Sequence, residues 1–331
     1  MPLPLDKATA NLNNTDVLQD VFNKTFGFQK IFVINLPSRT DHRDSISSAA
    51  AFSDLQIEYV DGVTKVEEKT LPPGGKEVNL NNGNLGAWRA HPLLGAPDQF
   101  LDPTYPQPSA GQAAENFILG GNNHITPATI SPSGDLDRWG IIFWLGHCGV
   151  RFARASDLNA PLGRVVIADD PTMPEPQHIK MQFGNDELVR EYPAHTRVVS
   201  RARMGTCTLA YGISQPGARR LLYELGLRKM TGTTDTTDTT DIMFRSVCDG
   251  VDGRPIRACL TVQPQLFRHH RAVGSKAAYS DITDHGDDYN GRAFTRNVRW
   301  STCLNFPELV EGQTDYIDLF KVGEKSPVDE F

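Results

Sequence analysis

The chain has 331 residues, 39% of them hydrophobic and 22% charged, which predicts a packed core rather than a disordered chain. Its formal net charge of −7, with no Lys/Arg run, argues against a general nucleic-acid binder, which needs a basic face to neutralise phosphates. Five scattered cysteines without a Cys-x-x-Cys pair argue against a structural zinc site. They neither require nor forbid one or two disulfides. No apolar run approaches the length of a membrane span, so no transmembrane segment is expected. The N-terminus lacks the charged start and apolar core of a signal peptide, and localisation stays open. Asn13-Asn14-Thr15 and Asn23-Lys24-Thr25 match the glycosylation sequon, which matters only in the secretory lumen.

Residues 1–28 are polar and read as a loose arm. Ile31–Leu36 is a continuous apolar run, the pattern of a buried parallel strand. Pro37-Ser38 turns the chain, and Ser38 is placed to cap a helix through Phe52, with Asp41 favourable near its positive end. Ile57–Val60 is a second strand, so the opening is strand, helix, strand, the start of a doubly wound α/β sheet. Residues 62–84 form a Gly/Pro/Asn-rich loop. Leu85–His91 starts like a helix, and Pro92 is expected to stop it and bias His91 toward extended geometry.

Residues 92–138 are a second irregular stretch, longer than compact domains usually carry. Regular pattern resumes with strands at Ile141–Leu145, Arg164–Ala168, Thr196–Val199 and Cys207–Ile213. Ser214 caps a following helix whose stripe is Ala218, Leu221, Leu222 and Leu225, with Gly226 at its end. A Thr-Thr-Asp repeat leads into a helix from near Asp241 to Cys248, ended by Asp249-Gly250. Ile256–Val262 is the last strand, and the chain after Ser280 reads as a polar surface tail.

Four sets of residues carry chemistry. Arg39 and Arg43 are four apart near a strand end, so two guanidiniums could grip a diphosphate, or Arg39 could simply pair with Asp41. Asp169-Asp170 follows a strand, where two carboxylates suit Mg²⁺ or Mn²⁺, although Asp-Asp-Pro-Thr also favours a turn. Asp235, Asp238 and Asp241 form a further acidic set. His269-His270, flanked by Arg268 and Arg271, could complete a metal shell, suit a diphosphate, or end a strand. A rival is Gly146-His147-Cys148-Gly149 after a strand, which departs by one residue from the nucleophile elbow of a cysteine hydrolase.

Several blocks resemble glycosyltransferase family 25, which includes lipooligosaccharide and procollagen galactosyltransferases. The strand ending Ile34-Asn35-Leu36, followed by Arg39-Thr40-Asp41-His42-Arg43, is similar to its start. Leu85-Gly86-Ala87-Trp88-Arg89-Ala90-His91 resembles its Gly-Cys-x-x-Ser-His block, with Ala87 and Ala90 in place of cysteine and serine. Ala210-Tyr211-Gly212-Ile213-Ser214, continuing through Gly217-Ala218 to Leu221-Leu222, resembles its later Ala-Tyr-x-Ile-Ser block. Asp241 stands where the family has an aspartate opening the next helix. Gln263-Pro264-Gln265 and Ser280-Asp281-Ile282 resemble its closing elements, and Trp144–Gly149 is similar to a fungal branch.

The resemblance implies a GT-A-like fold, a Rossmann-type, mostly parallel sheet with flanking helices in one domain over residues 29–285, with residues 286–331 as a tail. It implies transfer of a sugar from a UDP-type donor to a glycan or protein hydroxyl, with a divalent metal, Mn²⁺ or Mg²⁺, offsetting charge on the leaving diphosphate. On this reading Asn35, Arg39, Arg43 and His91 contact the donor and Asp241 lies near the acceptor. Asp169, Asp170 and His269 are the substitute metal ligands. The family's acidic metal set, expected after the Gly-Cys-x-x-Ser-His helix, has no counterpart between Pro92 and Asp135. This predicts an internal deletion at the 91/92 junction, and makes a non-catalytic remnant or truncated isoform that keeps only the fold the alternative.

Overall fold

The computed structural model describes residues 23–78, 80–93, 142–154, 156–157, 164–181, 186–228, 239–251, 253–254, 259–321 and 323–324. The chain divides into two compact units, residues 1–62 and 63–331. The N-terminal arm through residue 22 and the stretch 94–141 lie outside the described residues, as do Asp235 and Asp238.

The first unit is one strand–helix–strand turn. β1 (Ile31–Asn35) and β2 (Ile57–Asp61) pair in parallel, with Ile31 beside Ile57 and Asn35 beside Asp61. α1 (Thr40–Phe52) connects them. The helix starts one residue later than a Ser38 cap would place it. The chain turns first, with the Arg39 amide donating to the Leu36 carbonyl at 2.9 Å, and Arg39 becomes the capping residue without a side-chain bond. Asp41 in the first turn then faces the helix's positive end.

The second unit opens with α2 (Asn82–Leu93), which runs through His91 and Pro92 rather than stopping at His91. The proline sits one residue from the helix end, where few intrahelical bonds remain to be lost. The rest of the helix is anchored: Trp88 is fully buried, and its Nε1–H donates to the Leu225 carbonyl at 3.1 Å. Gly86 lets the Val63–Thr64 backbone pack against this helix, because a Cβ there would stand 2.0 Å from the Val63 carbonyl oxygen.

Next in the chain come β3 (Ile142–Gly146), β4 (Gly149–Phe152), β5 (Arg164–Ile167), α3 (Glu187–Glu191), β6 (Arg197–Thr206), β7 (Ala210–Ile213), α4 (Gln215–Leu222), α5 (Thr240–Asp249) and β8 (Cys259–Gln263). The strands form a six-stranded sheet in the order β4-β6-β8-β3-β7, with β5 also beside β6. The architecture is mixed α/β with flanking helices. A mostly parallel sheet was expected; in this sheet only β3 and β8 pair in parallel, and β4, β5 and β8 all run antiparallel to β6. Apolar runs record burial and not direction, so they could not reveal this. Because β5 and β8 share direction with β3, the carboxyl ends of these three strands lie along one edge of the sheet.

Trp88, Ile142, Trp144, Leu225, Phe244 and Val247 centre the main core between the sheet and α2, α4 and α5. Trp144 lies flat against Gly205, where a Cβ would come within 2.3 Å of its ring. α4 is capped as expected, the Ser214 hydroxyl accepting from the Gly217 amide at 3.2 Å, and it widens into a π-turn at Tyr223–Leu227. Gly250 ends α5 at φ 73°, a left-handed cap that glycine adopts without strain. Two disulfides brace the unit, Cys148–Cys207 and Cys248–Cys259, while Cys303 takes part in neither.

The segment expected to be a surface tail is folded. After β9 (His270–Arg271) and β10 (Gly274–Ser275) come β11 (Tyr289–Asn290), β12 (Phe294–Thr295) and α6 (Phe306–Val310). Leu319 and Phe320 are buried, and Phe320 packs against His178, whose Nε2 lies 3.1 Å from the Lys321 carbonyl. Asn297 Oδ1 accepts from the Lys180 amide, and its Nδ2 donates to the Lys180 carbonyl. Polar side chains that satisfy backbone groups hold this segment, which is why its composition resembles a solvated tail.

Candidate functional site

Three distant segments converge in the second unit. α2 presents His91 near its end, β7 presents Tyr211, and α5 opens with Asp241. His91 Nδ1 lies 2.8 Å from the Tyr211 hydroxyl, and its Nε2 lies 3.3 Å from the Thr208 hydroxyl. Phe244, one turn along α5 from Asp241, packs edge-on against both rings, at 5.2 Å from each. The Asp241 carboxylate accepts the Cys207 amide at 2.7 Å and also the Thr239 hydroxyl.

Burial pushes the His91 pKa down to about 4, opposed by the negative charge of Asp241, so the ring is neutral near pH 7. Burial also raises the Tyr211 hydroxyl, which keeps its proton. A neutral imidazole between two hydroxyls can accept a proton from one side while donating on the other. Tyr211 and Thr208 were not singled out from the sequence, although Tyr211 stands inside the quoted Ala-Tyr-x-Ile-Ser block.

The remaining candidates fall elsewhere. In the first unit Asn35 Nδ2 donates to the carbonyls of Leu36 and Arg39, at 2.8 and 3.3 Å, and so shapes the β1–α1 turn. Arg39 clamps Asp41 through Nε and Nη2, at 2.9 and 2.8 Å, and this guanidinium holds the Asp41 carboxyl far below its usual range. Arg43 lies over the Tyr59 ring at 4.3 Å. Arg39 is thus committed to Asp41, the pairing that competes with a diphosphate grip.

In the second unit Asp169 follows β5 at φ 58°, exposed in a turn. Asp170 Oδ1 accepts the Thr172 amide and hydroxyl, and its Oδ2 receives Arg197 Nε at 2.6 Å. Arg197 also donates to the Pro264 carbonyl, so Asp170 fastens the end of β5 to the end of β8. The pairing keeps Asp170 ionised and low, against the opposing effect of its burial.

His269 sits among positive charges. Burial drives its pKa down to about 3, and Arg271, Arg268 and His285 push the same way. Arg268 is lowered to about 10 by burial and by Arg296 and Arg271, and still carries its charge at neutral pH. Among the described residues no group of three or more His, Cys, Asp or Glu side chains is placed to hold a metal. Asp169, Asp170 and His269 do not fit a divalent cation: one carboxylate is saturated by Arg197 and Thr172, and the histidine lies in a positive field.

The cysteine-hydrolase reading fails, because Cys148 is bonded to Cys207 and offers no thiolate. His147 beside it is fully buried, with Nε2 at 3.0 Å from the Val262 carbonyl. Comparison with known protein families, with characterised proteins and with solved structures finds no match to this chain.

Proposed function

We propose that the chain is a glycosyltransferase-like protein that moves a sugar from a nucleotide-diphosphate sugar to a hydroxyl acceptor. The observation that carries this reading is the meeting of His91, Tyr211 and Asp241. These residues come from three of the sequence blocks that resemble family 25, His91 standing 120 residues before Tyr211, yet they share one cluster. In this reading Asp241 faces the acceptor hydroxyl, and neutral His91, steadied by Tyr211 and Thr208, completes its polar surroundings. No step is assigned to a metal.

The second reading is a non-catalytic remnant. It is favoured by the state of Asp241, whose carboxylate already serves the Cys207 amide and the Thr239 hydroxyl. The test incubates the full chain with UDP-hexoses and hydroxyl acceptors, with Mn²⁺ and separately with EDTA, and reads released UDP. Sugar transfer that falls at least about a hundredfold in Asp241→Asn, the scale of one lost acid–base group, supports the first reading. No UDP release from any donor leaves the remnant, and release unchanged in Asp241→Asn removes Asp241 from the proposed site.

A further inference from the structure

The carboxyl ends of β3 and β8 gather positive charge without acids to match it. Several arginines elsewhere in the second unit are paired with acids: Arg151 with Asp157, Arg197 with Asp170, Arg299 with Asp318, and Arg228 and Arg254 with Glu224. Arg268 and Arg271 differ. Arg268 Nη1 donates only to the His147 carbonyl, at 2.9 Å. Arg271 lies over the Tyr279 ring at 4.5 Å and reaches the Tyr279 carbonyl at 3.4 Å. Neither guanidinium meets a carboxylate within 4 Å among the described residues.

The pairing of β9 with β12 brings Thr295 across from His270, joined at 2.9 Å, and Arg296, the next residue, adds its positive charge to that of Arg268. His285 stacks edge-on against Tyr279, at 5.8 Å. Exposed acids do occur nearby, in the loop holding Asp281, Asp284, Asp287 and Asp288, but Asp288 is turned to Lys276. A second feature of this strand end is independent of charge. Gln263 and Gln265 are each 1% exposed, and neither side-chain amide has a partner among the described residues. Nδ1 of buried His147 is likewise unmatched, on the residue whose carbonyl holds Arg268. In a chain of net charge −7, guanidiniums at the strand end that also carries these amides mark a place built for an anion with several acceptor oxygens.

We propose that Arg268 and Arg271, with the added charge of Arg296, form a site for a diphosphate-bearing ligand that is held by guanidiniums and not by a divalent metal. The site rests on the sugar-nucleotide reading for its ligand class, though not for its geometry. The test titrates the full chain by calorimetry with inorganic pyrophosphate and with UDP, in EDTA and then with Mn²⁺. Pyrophosphate is expected to bind in EDTA, and to bind about tenfold more weakly in Arg268→Gln and in Arg271→Gln, the loss of one charge-assisted pair.

Arg271→Gln changes a side chain at the rim and guards against misfolding of the Arg268 variant; unshifted thermal melting confirms that the fold persists. UDP binding more tightly than pyrophosphate, with the same two losses, supports both the site and the sugar-nucleotide reading. Equal binding of the two supports the anion site and counts against the nucleotide. Absence of pyrophosphate binding in EDTA, a strict need for Mn²⁺, or binding unchanged in both variants overturns the proposal.

Discussion

At the scale of single residues, the polar groups of the second unit are set by what surrounds them. His147 is fully buried with Nε2–H on the Val262 carbonyl, and burial pushes its pKa down from 6.5 to about 4. The unfolded chain therefore takes up this proton first. The stability that neutral His147 supports is complete above pH 6.5 and drains away as pH falls toward 4. The full effect is on the order of 3 kcal/mol. His147→Gln keeps a donor for Val262 and removes the titration. Urea unfolding of this variant is expected to lose less stability between pH 7 and pH 4 than the parent, by roughly that amount. Equal slopes would show that His147 titrates alike in the folded and the unfolded chain. Asp241 has a structural share beside its proposed one: Asp241→Ala strands the Cys207 amide, and thermal melting should register a loss of about 1–3 kcal/mol.

Among the elements, α2 and the turn after α4 depend on each other through Trp88. Its indole fills the core and bonds the Leu225 carbonyl, so Trp88→Ala should cost about 3–5 kcal/mol in chemical denaturation. Trp88→Phe, which keeps most of the volume, should cost much less. Glu224 is the other fastening here, 4% exposed and shared by Arg220, Arg228 and Arg254. Glu224→Gln leaves three guanidiniums around a neutral amide and should cost about 3–5 kcal/mol, more than an exposed ion pair.

Much of this level is legible in the sequence. The apolar runs at β1, β3 and β5, the Ser214 cap and the Asp249-Gly250 stop stand where their residue types place them, because each is a local preference. His91, Tyr211 and Asp241 are legible as blocks, though nothing local says that they touch. Pro92 misleads, since the buried face of α2 outweighs a proline near its end. Strand direction and the folded residues 286–321 are not legible, for pairing is nonlocal and Asn297 and Ser301 are buried by backbone bonds that carry no periodicity.

For the molecule as a whole, the two disulfides matter more than the five cysteines suggested. Cys148–Cys207 joins the turn after β3 to the turn before β7, closing 59 residues, and its second half-cystine carries the amide that Asp241 accepts. Cys248–Cys259 ties α5 to β8 across 11 residues. On the chain-entropy account these closures contribute about 4 and about 3 kcal/mol. Bonds of this kind persist in oxidising compartments and not in a reducing cytosol. Denatured but unreduced protein should therefore show one reactive thiol per chain, from Cys303, and five after reduction. Reduction under native conditions should lower the melting temperature and also disturb the site, because freeing Cys207 loosens the amide held by Asp241. Cys248→Ser with Cys259→Ser removes the shorter bridge alone, so it should lower stability and leave the near-ultraviolet signal of Tyr211 and Phe244 largely in place. Cys148→Ser with Cys207→Ser should alter that signal as well. Five reactive thiols before reduction would mean that the chain folds without either bridge, and the stabilisation would have to come from the core alone.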